Sequence, residues 1–123
     1  MSKVVEKVKV TNFKDPSKSI EIEAVIDTGA TMSVLPMDLI QKLGLEKIDE
    51  VNVYADNSVK RKEVYGWVIL EIAGRKAVFD VLAENEGAQP LIGTDSIRAV
   101  RFSYRAKHEK GYTQSEVSRD AYD

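Results

Sequence analysis

Ala24-Val25-Ile26-Asp27-Thr28-Gly29-Ala30-Thr31-Met32-Ser33-Val34-Leu35-Pro36 is an apolar run broken by a single acid that is followed closely by a glycine. An ionised carboxylate is costly to bury without partners, so Asp27 behind Val25 and Ile26 is expected to occupy a buried setting for a chemical or proton-sharing reason. Gly29 permits a tight turn and a close backbone approach, and the hydroxyls of Thr28, Thr31 and Ser33 can bond nearby backbone or carboxylate. The expected local structure is strand, polar hairpin, strand. Asp, Thr and Gly are all common turn residues, so the triplet taken alone also reads as a plain hairpin turn.

Outward from this stretch the chain is mostly extended. Val4, Val8 and Val10 alternate with lysines, Ile20 and Ile22 alternate with glutamates, and Asp15-Pro16-Ser17 between them supplies turn chemistry, which makes a hairpin leading into Asp27. Pro36 opens a short helical pattern through Met37, Leu39, Ile40 and Leu43, and Gly44 ends it. Val51 and Val53 alternate from Glu50 up to a polar break at Ala55-Asp56-Asn57-Ser58, and Val59 to Val64 returns as a basic arm of a second hairpin. Tyr65 to Ile72 and Lys76 to Leu82 form a third, joined by Ala73-Gly74-Arg75. Apolar residues fill both alternations of Trp67 to Leu70, so this strand is expected to be covered on both faces. Leu91-Ile92 reads as a short buried strand, Thr94 or Asp95 as the cap of a helical turn, and Ala99 to Tyr104 as a last strand.

The fold class expected is therefore all-β, a small closed or nearly closed barrel of β-hairpins with one short helix. With 123 residues the chain suits one domain, placed at residues 1–104. Residues 105–123 are polar and non-periodic, with Val117 their sole large aliphatic, and read as a loosely attached or disordered tail. A net charge of −2 with both signs mixed gives no basic field for nucleic acid. There is no cysteine and a single histidine, His108, so neither a metal nor another cofactor is expected. No apolar run is long enough to span a membrane, and the expectation is a soluble, cytoplasmic protein.

A second motif answers the first late in the chain: Pro90-Leu91-Ile92-Gly93-Thr94-Asp95. The pairing of Asp27-Thr28-Gly29-Ala30, behind an apolar strand, with Leu91-Ile92-Gly93 resembles the retropepsins, the single-lobed aspartic proteases of retroviral type. The resemblance runs from about Ile20 to Ile97 and implies the retropepsin fold and peptide-bond hydrolysis by a pair of carboxylates. Since the chain has one Asp-Thr-Gly, the pair implies a homodimer with Asp27 from each subunit, which twofold symmetry supplies. The resemblance further implies that Thr28 bonds across the axis, that Gly29 offers its carbonyl to an extended peptide or unfolded protein substrate, and that Tyr54, Ala55, Asp56, Asn57 and Ser58 form the flap over it. Three departures stand out. The flap turn has no glycine, Thr31 and Thr94 stand where retroviral members usually carry an Asp and Arg ion pair, and the tail is longer than their terminal strand. Two readings are therefore carried forward, a homodimeric aspartic endopeptidase and a dimerisation or peptide-binding module of the same fold with little or no hydrolysis.

Overall fold

The structure, a computed structural model, describes residues 4–97. The expected last strand at 99–104 and the tail at 105–123 lie outside the described residues. Seven strands and one helix follow in the order β1 (Val4–Asn12), β2 (Ser19–Ile26), β3 (Val34–Pro36), α1 (Met37–Lys42), β4 (Glu46–Ala55), β5 (Ser58–Ile72), β6 (Arg75–Glu84) and β7 (Leu91–Ile92). They form one sheet in the order β1-β2-β7-β3-β6-β5-β4, and β1 also pairs with β5. That extra pairing closes a ring of six strands and leaves β4 outside it, attached to β5 alone. The all-β, nearly closed barrel with one short helix is as the sequence indicates.

Alternation puts the core inside the ring. Val8 and Val10 of β1, Ala24 of β2, Val68 and Leu70 of β5, Phe79 and Val81 of β6, and Ile92 of β7 are buried together, while Lys7 and Lys9 between the valines are exposed. Leu35, Ile40, Leu43 and Leu45 close the cluster from the side of β3 and α1. Gly44 ends the helix at a φ of 66°. Its N–H donates to Gln41 O at 3.0 Å and that of Leu45 to Ile40 O at 3.2 Å, a Schellman cap that turns Leu45 back into the core. Buried Asn12 fastens this corner: its amide donates to Leu43 O at 2.8 Å and its oxygen accepts from the N–H of Lys14 at 2.9 Å.

Four expectations about the strands need correction. The chain around Asp27 is not a hairpin, because β2 and β3 do not pair; β7 lies between them, parallel to β2 and antiparallel to β3. The outgoing arm of the second hairpin and the first strand of the third are one strand of 15 residues, β5, whose first half pairs with β4 and whose second half pairs with β6 and β1. That strand is covered on one face, not two. Val68 and Leu70 point inward, whereas Trp67 is 41% exposed and Val78, opposite Ile69 on β6, is 46% exposed. The apolar content of Trp67 to Leu70 thus exceeds what the barrel interior takes up. Finally, β4 begins at Glu46 rather than Glu50, with a register shift between Lys47 and Asp49.

Candidate active site

Asp27 follows directly on β2, and its position is fixed by backbone on three sides. Its N–H donates to Ile92 O at 3.0 Å, its carbonyl accepts from the N–H of Ala30 at 3.2 Å, and its Oδ1 accepts from the N–H of Gly29 at 2.8 Å. The carboxylate therefore has a set orientation, and among the described residues no other side chain bonds it. Contrary to the buried setting expected from the sequence, Asp27 is half-buried, and Thr28 and Gly29 beside it are exposed. The apolar residues before Asp27 belong to the strand, and the acid itself sits at the rim where that strand ends. The hydroxyl of Thr28 has no hydrogen-bond partner among the described residues.

The two sequence motifs meet at this loop. Residues 94–97 are helical, and the first N–H groups of that turn, which have no partner within it, donate to the loop: Thr94 to Ala30 O at 2.8 Å and Asp95 to Thr31 O at 3.1 Å. Backbone bonds alone thus tie Thr94 and Asp95 to Ala30 and Thr31. Gly93 passes so close to the loop that a Cβ there would lie 2.6 Å from the carbonyl carbon and oxygen of Met32 and 2.7 Å from Thr31 O. Ser33, 2% exposed, is the node behind it. Its Oγ accepts from the N–H of Gly93 at 3.1 Å and bonds the buried hydroxyl of Ser96, while its carbonyl accepts from the N–H of Leu82 at 2.9 Å. The sequence singled out Ser33 as a hydroxyl within reach of the loop; Ser96 was missed, and only its place one helical step beyond Gly93 hinted at it.

Tyr54 to Ser58 form the tip of the β4–β5 hairpin. Ala55 pairs with Ser58, and Asp56 and Asn57 between them both have positive φ, 48° and 63°. This is the two-residue turn that suits the strand twist, and Asp and Asn take the place of glycine in it. Tyr54 is 75% and Val59 57% exposed. The loop between β6 and β7 is anchored at three points. Glu84 at its start accepts from Lys62 Nζ of β5 at 2.7 Å, Gly87 donates its N–H to Asp38 of α1 at 3.1 Å, and Gln89 donates its amide to Glu23 O at 3.2 Å. None of these three anchors was visible in the sequence. Met37, Arg61, Lys62, Glu84 and Glu86 line an open groove along this junction, and Asp27 does not border it.

The hydrogen bond and charge of Lys62 hold the carboxyl of Glu84 below its ordinary value of 4.5, outweighing the effect of its burial. A carboxyl lowered by folding adds stability above its unfolded value and loses it as pH falls through the lowered one. Lys62→Met is therefore expected to destabilise the fold at pH 7 by less than about 1 kcal/mol, since the pair is partly exposed to solvent. The difference closes in acid, once Glu84 is protonated in both variant and wild type. Thermal melts at pH 7 and pH 3 read this directly, and an equal gap at both would contradict it. Among the described residues no three His, Cys, Asp or Glu side chains gather to hold a metal ion, and no helix is long and apolar enough to cross a membrane.

A single-lobed closed barrel that presents Asp-Thr-Gly on a loop backed by hydrophobic-hydrophobic-Gly is the retropepsin-like aspartic protease fold. Residues 18–99 match the family described as "gag-polyprotein putative aspartyl protease", and the chain belongs to that family. Among solved structures it is similar to "EIAV protease complexed with the inhibitor HBY-793", with a TM-score of 0.59 and 16% identity, over 81% of this chain and 89% of that one. At that identity the likeness bears on the fold. No curated protein matches the chain in sequence.

Proposed function

We propose that the protein is a homodimeric aspartic endopeptidase that cleaves extended peptides or unfolded protein, using Asp27 from each of two subunits. The observation that carries this is the state of the Asp27 loop: its backbone is fixed from three sides, yet its carboxylate is half-buried and Thr28 and Gly29 are exposed. A loop built so firmly and left uncovered is half of a site. A second copy related by a twofold axis completes it, because residues on the axis meet their own counterparts. Val4 and Val5, 55% and 49% exposed on β1 and paired in register with Ile26 and Val25, add apolar surface next to the loop for that partner.

In the dimer one Asp27 is ionised and takes a proton from a water molecule that attacks the peptide carbonyl. The other is protonated and donates to the carbonyl oxygen, and the tetrahedral intermediate collapses with proton transfer to the leaving nitrogen. Two carboxylates brought together across the axis do not both ionise readily; aspartic proteases are the standard illustration of this. Thr28 bonds across the axis and Gly29 presents its carbonyl to the substrate backbone. The hairpin of Tyr54 to Ser58 acts as the flap, which closes over the peptide and excludes water.

Cleavage of an unstructured protein, with and without a statine inhibitor, tests this over a dilution series followed in parallel by sedimentation. Inhibitor-sensitive cleavage whose specific rate falls as dimer dissociates is expected, because a lone subunit holds one carboxylate. Undiminished cleavage by monomer would overturn the mechanism. Dimers that bind peptide without cutting it would establish instead a binding module of the same fold.

A further inference from the structure

The strand that forms the outgoing arm of the hairpin sorts its charges by face. From Val64, buried in the core, the register between β4 and β5 runs without a shift to Ser58, so Lys62 and Lys60 lie on the face continuous with the barrel interior, opposite Val51 and Val53. Arg61, Glu63 and, on β4, Glu50 lie on the other face. There they form with Lys47 a network of two cations and two anions: Lys47 bonds Glu63 at 3.2 Å and Glu50 at 3.5 Å, and Arg61 bonds Glu50 at 3.4 Å. The outer face thus neutralises itself.

The inner face does not. Lys62 is taken up by Glu84 at 2.7 Å, whereas Lys60 is exposed and makes no ion pair among the described residues. The charge of Lys60 nevertheless reaches Glu84 and helps Lys62 to lower its carboxyl, which agrees with the placement of both ammonium groups on that side. Lys60 follows the turn by two residues, so it travels with the tip. On this face Val51 and Val53 are half-buried and supply apolar cover; Lys60 adds an unsatisfied cation to it.

We propose that Lys60 makes the site selective for peptides that carry Asp or Glu on both sides of the scissile bond. This rests on the peptidase reading, in which the inner face of the hairpin is the roof of the cleft and the twofold axis sets one Lys60 on each side. The acidic residues flank the two that share the scissile bond rather than being those two, since next to the bond they would meet the negative charge of the Asp27 pair. Glu84, whose carboxyl the charge of Lys60 helps to lower, is the carboxylate that competes with substrate for it.

The experiment compares peptides of one sequence that bear Glu, Gln or Lys at each flanking position. Cleavage by the wild-type dimer is measured as kcat/KM, and binding to the Asp27→Asn variant by fluorescence anisotropy. Glu is expected to be favoured over Gln by about threefold to tenfold at low salt, with the margin shrinking as salt rises. In Lys60→Gln the margin disappears, and in Lys60→Glu the Lys-bearing peptide becomes the preferred one. Lys60 is exposed, so both variants fold. Equal handling of Glu and Gln peptides by wild type, or a preference that survives Lys60→Glu, overturns the inference, as does failure of the Asp27→Asn variant to bind any of them. Charge-selective binding without cleavage overturns the peptidase reading and leaves the selectivity of the hairpin's inner face standing.

Discussion

Asp27→Asn is expected to abolish peptide cleavage, lowering kcat by at least about a thousandfold, while the melting temperature stays that of the wild type. The change removes the one group able both to take a proton from water and to return it, and general acid–base chemistry of this kind contributes up to about 10⁴-fold by itself. The fold is spared because Asn is isosteric and its Oδ1 still accepts the 2.8 Å bond from the N–H of Gly29. The neighbouring backbone bonds of Asp27 to Ile92 and Ala30 do not involve the side chain. Kinetics beside a thermal melt decide the matter. Residual cleavage within tenfold of wild type would remove Asp27 from the chemistry.

Gly93→Ala is the second large effect, and it acts on folding. A methyl group there would lie 2.6 Å from backbone atoms of Met32 and 2.7 Å from Thr31 O. Those atoms cannot swing aside as a side-chain end can, because the bonds of Ala30 O to Thr94 and of Thr31 O to Asp95 hold that backbone in place. The loop must move as a body, at a cost of about 3 kcal/mol, and Asp27 moves with it. Urea unfolding should show the lowered midpoint and the cleavage assay the lost activity. Gly74→Ala makes a useful contrast: its φ is positive, at 79°, whereas that of Gly93 is not in the left-handed region, but the new methyl meets nothing within 4 Å. A midpoint for Gly93→Ala no lower than that for Gly74→Ala would contradict the close packing of the two motifs.

What the sequence disclosed was local chemistry. Pro36 and Gly44 bracket α1, Asp56-Asn57 makes the hairpin turn, alternating valines mark the inner face of β1, and the two glycine motifs mark where the carboxylate loop is built. What it concealed was long-range. Sequential strands pair more often than not, so β2 and β3 around Asp27 read as a hairpin; the two residues of β7 that separate them arrive from 55 positions beyond Pro36, too short a strand to announce its partners. Gly66 read as part of a new strand that starts at Tyr65, and nothing local reveals that β5 runs unbroken through it to serve both hairpins. The half-exposed state of Asp27 was also hidden, since an acid after Val25 and Ile26 looks the same whether the strand ends before it or beyond it. Ser96 behind Ser33, Asn12 in the helix corner and Lys62 against Glu84 are all pairs whose members stand far apart in the chain.

The claim on which the rest depends is that one active site is assembled from two chains, and mixing subunits tests it most directly. Wild-type protein and Asp27→Asn are combined at fixed total concentration, allowed to exchange, and assayed for cleavage across the range of mixing ratios. If each site needs both Asp27 carboxylates, activity follows the square of the wild-type fraction, and an equal mixture retains about a quarter of it. Activity that falls in simple proportion, to about half in the equal mixture, would mean that each chain works alone and would contradict the account.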